Sequence, residues 1–405
     1  MKLLACMCIA AGTLLACGSL RAQGLLAIGQ HTDYSESVPL TYTVRLSSGY
    51  DDVHYSVPSL GQPNFSSFFV QGGVGLAYVD NSKPTPWSVG LDLGLLHYFD
   101  NEPGTKDIYY NTRLSFNITH EFDRRLKVSD NFYVAYELDP DYGVGVSTGA
   151  FSGQYLYGYN NLNVAYAWTE RFSTTTSYTL DGIHYTQDAT VADMEDHLEH
   201  IISQQFAYQL SRTTTVTGEY RFGLVRYSSG VVNSSTTSPN YTSHYLLAGV
   251  DQAWSPRLSS SLRAGAQFYE SDREHKVAPY AEGSLDYKVS RKTNVRFYAQ
   301  AGYDPSDLGD YAAHYAIHTG VTGNYKVTDT LSLSAGLHYV HGDYTGSGSL
   351  VGFNENEVDA SAGITYSLWK NVAVDASYSY TTIASDIDTR SYDRSRVNLG
   401  FNATF

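Results

Sequence analysis

The densest gathering of side chains able to do chemistry lies between Asp188 and His200. Asp188, Asp193, Glu195, Asp196, His197, Glu199 and His200 bring together five acids and two histidines there. Oxygen-rich clusters of this kind hold Ca²⁺, and a histidine pair adds affinity for transition metals. The stretch lacks the spaced ligands of a calcium loop, so the plainer expectation is a solvated acidic loop facing the exterior, with no metal and no other cofactor. Hydrolysis through a covalent intermediate would need a nucleophile beside a base, or paired acids, at one rim. His184, His197, His200, His314 and His318 are the available bases and Ser and Asp residues are many, yet no spacing unites them. There is no Gly-rich phosphate loop and no H-E-x-x-H; Asn117-Ile118-Thr119 fits a glycosylation triplet but falls on an expected strand. No catalytic residue can be nominated, and the chain is expected not to be an enzyme.

The elements that carry these side chains follow from composition and pattern. Of 405 residues 36 are Tyr and 35 Gly, against 11 Pro and 3 Met, a balance that favours β structure. Charged residues make up only 17%, and the mean hydropathy is −0.28. After Ala22 no apolar run approaches the roughly 20 residues of a membrane-spanning helix, which excludes a helical membrane protein. The net charge of −15 excludes a basic nucleic-acid binder. Lys2, the apolar stretch Leu3 to Leu15 and Ala22 have the three-part layout of a secretory signal, so residues 1–22 are expected to direct Sec-type export. Cys6, Cys8 and Cys17 are the only cysteines and all fall inside it, leaving the exported chain without a thiol. Alternatively Leu14–Cys17 is a lipobox with Cys17 lipidated. Residues 23–40 are expected to be a short periplasmic segment, too short for the plug of a large energy-coupled transporter.

From there the chain reads as hairpins. Short polar clusters at Trp168–Phe172, Leu210–Thr213, Trp254–Leu258, Val289–Thr293, Val327–Leu331 and Leu368–Val372 separate stretches of alternating polarity, with looser equivalents near Asp80 and Asp123. Eight such turns join sixteen strands, and one strand on either side makes eighteen, with sixteen as the alternative count. On the last strand Val397, Leu399, Phe401, Ala403 and Phe405 alternate with Arg396, Asn398, Gly400, Asn402 and Thr404. Successive side chains point to opposite faces, so one face is apolar and the other wet. Strands of about 9 to 13 residues fit a tilted bilayer crossing, and short turns on one side face longer connections on the other. Tyr166, Trp168, Tyr208, Trp254, Tyr287, Tyr325 and Tyr366 collect at the short-turn side as a periplasmic aromatic girdle. Lipid tolerates no open sheet edge, so the expectation is an all-β fold over residues 41–405: a transmembrane, antiparallel, up-and-down β-barrel.

The opening Ser47–Asp52, the turns Ser290–Thr293 and Thr328–Leu331, and the closing Tyr392–Phe401 resemble the putative β-barrel porin family of Gram-negative outer membranes, over roughly Thr41 to Phe405. The resemblance implies an outer-membrane location, contact with outer-membrane lipid, and a pore with no catalytic residues to transfer. Phe405 resembles the C-terminal aromatic of such barrels, which implies the barrel-assembly machinery as a partner. Alternation assigns Arg113, Glu219, Arg221, Asp251, Arg263, Glu282, Asp286, Arg296, Asp359, Asp375 and Arg396 to the inner face, where they either tune permeation or pair to satisfy a polar wall. Roughly 16–18 strands leave an aqueous channel. The expected function is therefore a porin-like channel for passive diffusion of small hydrophilic solutes. The alternative is a surface-structural or adhesive barrel with a blocked lumen, binding through loops such as Asp139–Gly153 and Gly342–Asn356. A homo-oligomer is compatible with either, although no outward strand face nominates the contact.

Overall fold

The computed structural model describes residues 40–57, 64–100, 107–138, 154–186, 196–228, 240–272, 275–306, 308, 311, 313–345 and 351–405. The expected signal segment with its cysteines, the periplasmic stretch up to residue 39, Asp188, Asp193, Glu195 and the loop Asp139–Gly153 lie outside the described residues.

Eighteen strands follow one another along the chain. They are β1 (Leu40–Tyr55), β2 (Phe65–Asp80), β3 (Trp87–Tyr98), β4 (Ile108–Glu121), β5 (Leu126–Glu137), β6 (Tyr155–Ala167), β7 (Phe172–Tyr185), β8 (His197–Gln209), β9 (Thr214–Tyr227), β10 (Tyr241–Ser255), β11 (Leu258–Ser271), β12 (His275–Tyr287), β13 (Thr293–Pro305), β14 (Ala313–Lys326), β15 (Leu331–Tyr344), β16 (Phe353–Trp369), β17 (Val372–Ser385) and β18 (Tyr392–Thr404). Each pairs antiparallel with its sequence neighbours, and β18 pairs with β1, so the sheet closes on itself. The eight short turns expected from sequence are the connections from each even-numbered strand to the next odd one, up to β16–β17. The opposite side is less uniform than expected, since only residues 272–274 separate β11 from β12. Following the cross-strand register once around the ring returns about 22 residues further along β1, a shear that tilts the strands by roughly 40°.

Hydroxyls and carboxylates close the short turns. Thr169 Oγ1 accepts the N–H groups of Arg171 and Phe172 at 3.2 and 3.0 Å, and Thr328 Oγ1 does the same for Thr330 and Leu331. In the β4–β5 turn, Asp123 accepts the backbone N–H groups of Leu126 and Arg125 at 2.8 and 2.6 Å, and these bonds hold its carboxyl below the usual carboxylate range.

Alternation sorts the two faces. On β1, Thr41, Thr43, Asp51, Val53 and Tyr55 are buried inside the ring while Tyr42, Val44, Leu46 and Tyr50 are exposed outside it. The outer face is the apolar one, the reverse of a water-soluble sandwich. Of the expected girdle, Trp168, Tyr208, Trp254, Tyr287, Tyr325 and Tyr366 are exposed at the short-turn end together with Phe405, and Tyr166 is half-buried, edge-on to Trp168. Lipid contact and girdle do not account for all the tyrosines. Tyr55 and Tyr392 pack with Val53 and Ile383, Tyr98 and Tyr109 with Phe69 and Leu96, and Tyr227, Tyr241 and Tyr269 with Val225, all inside the ring toward its long-loop end. Period-two alternation assigns a face only where polarity differs, and tyrosine suits both faces.

At Gly49 an added Cβ would lie 2.5 Å from the Phe69 ring and closer still to the Val397 carbonyl, so β1 meets its neighbours there without room for a side chain. Gly49→Val is expected to destabilise the barrel by about 1–3 kcal/mol through overpacking. The check is a lower urea midpoint for the heat-modifiable form of the refolded protein.

Candidate pore lining

Closure gives every strand an enclosed face, and the cross-strand register shows which residues occupy it. Glu282 on β12 stands opposite Arg263 on β11, and Asp51 on β1 stands opposite Arg396 on β18. By the cross-strand register, all eleven charged residues assigned to the inner face by alternation lie on that face. Most are parts of small ion-pair networks.

The largest network spans β9 to β12. Arg221 donates through Nε to Glu219 at 2.5 Å and through Nη1 and Nη2 to Glu282 at 2.9 and 2.6 Å, and the Tyr280 hydroxyl donates to Glu282 at 2.6 Å. Beside it, Arg263 grips Asp251 with two bonds of 2.8 and 2.9 Å. Two donors in a planar fork fit a carboxylate better than a point charge would, which favours Arg over Lys at such sites. On β4 and β5, Arg113 makes the same two-pronged contact with Glu137, both bonds at 3.0 Å, and its guanidinium lies 4.9 Å from the Tyr133 ring centre.

A second network sits where the ring closes. Arg394 on β18 donates to both carboxylate oxygens of Asp51 at 2.9 and 2.5 Å, and the Tyr98 hydroxyl on β3 donates to Asp51 at 2.8 Å. Arg396 lies 3.9 Å from Asp51 with its guanidinium 4.4 Å from the Phe69 ring centre. Asp51 is 1% exposed. Next to this group Arg390, on a short 3-10 turn at Asp388–Arg390, reaches back to Glu355 on β16 with bonds of 2.8 and 3.0 Å.

The remaining expected charges are more weakly tied. Arg296 lies 3.6 Å from Asp286, Thr381 donates to Asp359 at 2.8 Å, and Asp375 takes a bond from Asn402. Sequence reasoning missed Asp51, Glu137, Glu355, Arg390 and Arg394. Four of them lie on strands where the same alternation would have found them: Asp51 two residues beyond Gly49 in the opening segment, Arg394 two residues before Arg396. Arg390 stands off the strands, where period two says nothing.

The acidic stretch does not form one loop. Only Asp196 of its described part precedes β8, where it accepts the Tyr185 N–H at 2.8 Å and pairs with His184. His197 and Glu199 face inward, while His200 faces outward and bonds Tyr178 at 2.8 Å, so strand alternation splits the cluster between two faces. Among the described residues no group of three or more His, Cys, Asp or Glu is placed to hold a metal. The other candidate bases are dispersed too: His318 pairs with Asp304 at 2.6 Å, and His314 stacks on Tyr344 with ring centres 4.4 Å apart.

Residues 265–405, from the middle of β11 to the last residue, match the family model described as "Putative beta-barrel porin 2". The chain is a closed, eighteen-stranded antiparallel β-barrel whose C-terminal third is similar to that porin family. The family resemblance thus holds over the C-terminal part of the span beginning at Thr41. No curated protein matches the sequence. Among solved structures, OccK2 (OpdF) of Pseudomonas aeruginosa is 8% identical with a TM-score of 0.48, over 90% of this chain and 98% of that one. A BenF-like porin from Pseudomonas fluorescens Pf-5 is 10% identical with a TM-score of 0.48, over 90% and 99%. OccAB4 of Acinetobacter baumannii is 11% identical with a TM-score of 0.45, over 91% and 99%. The strand number and closure of this barrel rest on its own register.

Removing Asp51 takes from Arg394 its two-pronged carboxylate partner inside the wall. Asp51→Ala is expected to lower stability by about 3 kcal/mol, and adding Arg394→Met should restore part of that loss. Urea unfolding of the two single variants and the double variant checks it; strictly additive losses would show that the pair is not coupled.

Proposed function

We propose that the chain is an outer-membrane channel through which small hydrophilic solutes diffuse passively. The observation that carries this reading is an eighteen-stranded closed wall that is apolar outside and polar within, its inner charges held as ion pairs along the wall. Eighteen strands enclose more space than side chains fill, and fixed opposite charges on an inner wall order water and counter-ions across it. The eleven inner-face charges are read as pore lining. In the same reading residues 1–22 are an export signal, Tyr166, Trp168, Tyr208, Trp254, Tyr287, Tyr325 and Tyr366 sit at the periplasmic interface, and Phe405 on the last strand engages the barrel-assembly machinery. Reconstitution of the purified, folded protein into a planar bilayer is expected to give discrete conductance steps, and their absence would overturn the channel.

A blocked, adhesive barrel is the second reading, favoured by the tyrosine clusters packed inside the ring at its long-loop end. It expects no conductance and ligand binding that loop deletion abolishes. For the channel, the net charge of −15 favours cations weakly. In a salt gradient the reversal potential should carry the sign of cation preference, and a clear anion preference would contradict that expectation.

A further inference from the structure

The charges of the inner wall differ in how far water reaches them. In the networks of Arg221, Arg263, Arg390 and Arg394 the arginine side chains are only 4–9% exposed. Arg45 on β1 and Asp92 on β3 also form an ion pair on the inner face, yet their side chains are 30% and 35% exposed. Strand β2 runs between them, and it lets them meet because Gly75 stands at the crossing. Gly75 is the direct cross-strand partner of Asp92, and an added Cβ there would lie 2.7 Å from Asp92 Oδ1 and 3.4 Å from Arg45 Nη2.

The same arrangement continues on the other side of Arg45. Its direct partner on β18 is Asn402, which donates to Asp375 on β17. Asp375 is half-buried and stands three residues into β17 from the β16–β17 turn, so the group lies in the short-turn half of the lumen. Here too a glycine makes the room: Gly400 is the direct partner of Asp375, and an added Cβ would run into its carboxylate. One arginine and two aspartates thus lie side by side across five strands, from β17 through β18, β1 and β2 to β3, over the seam where the ring closes.

An ion pair that water reaches contributes little to stability, and glycine within a strand weakens it. Wall stability alone therefore does not account for two glycines that let exposed charges lie flat across their neighbours. Flat side chains leave the bore clear while facing whatever passes through it. The group carries one positive against two negative charges. The other water-reached pair, Arg296 with Asp286, is balanced and adds no surplus. We propose that Arg45, Asp92 and Asp375 form the charge filter of the channel, an accessible surplus carboxylate that admits small cations in preference to anions. The inference rests on the channel reading given above and assigns its selectivity to three residues.

The test uses the full chain in a planar bilayer under a potassium chloride gradient. Asp92→Asn and Asp375→Asn are each expected to lower the ratio of potassium to chloride permeability by about twofold, and Arg45→Gln to raise it by a similar factor. Asp92→Cys separates charge from folding, because the only cysteines of the sequence, Cys6, Cys8 and Cys17, fall within residues 1–22. In channels of this variant that already conduct, an anionic methanethiosulfonate should restore the cation preference and a cationic one should lower it further, with neither reagent acting on the wild type. A conducting Asp92→Cys channel whose permeability ratio is unmoved by both reagents overturns the filter and leaves the channel standing. Absence of conductance from the folded wild-type protein overturns the channel and the filter together.

Discussion

A hydrocarbon layer cannot hydrogen-bond a peptide group, and the architecture of this chain follows from that single fact. Every strand N–H and C=O must find its partner within the protein, so a sheet in lipid has no permissible edge. The pairing of β18 with β1 is therefore a requirement on the whole chain, and the even strand number follows because a meander that closes antiparallel must bring first and last strands together in opposite directions. Once closed, the sheet separates two solvents. Its outer face is selected for lipid and its inner face for water, and the two alternate residue by residue.

The inner face answers a different constraint. A lumen wall must be polar, but charges close to a low-dielectric sheet are unfavourable when isolated. Arg221 between Glu219 and Glu282, Arg263 on Asp251, Arg113 on Glu137 and Arg394 on Asp51 satisfy this locally: each arginine takes its carboxylate from its own strand or from one nearby on the wall. Pairing of this kind stiffens the wall while leaving fields of alternating sign along it. The tyrosine clusters toward the long-loop end supply packing where charge gives way to aromatic surface, with hydroxyls such as those of Tyr98 and Tyr280 tying the two regimes together.

Much of this was legible in the sequence because period-two alternation is a direct consequence of strand geometry. The eight turns from Asp80 to Leu368, the eighteen strands and the facing of Glu219, Arg221 and Glu282 all follow from it. Partners were not legible, since alternation gives the face of a residue but not which residue of the next strand stands beside it. Asp51 and Arg394 are separated by almost the whole chain, and only closure makes them neighbours. The tyrosines packed inside the ring were not legible for a related reason: a side chain that is apolar along its ring and polar at its tip carries no facing signal. The cluster at Asp188–His200 misled in the opposite way, because proximity in sequence is not proximity in space on a strand, where consecutive side chains diverge.

The seam between β1 and β18 also bears on the order of events during biogenesis. Thr43 pairs with Thr404, so the two halves of this ladder are synthesised at opposite ends of the chain. Contacts of such sequence separation form late and slowly, and until they form both terminal strands are open templates for pairing with other chains. Asp51, Arg394 and Arg396 lie on this seam, and their network exists only after the ends have found each other. The clasp is thus absent from every unclosed intermediate and present in the finished ring. It acts as a latch that makes completion of the circle harder to reverse, without contributing to the earlier steps by which the strands are laid down.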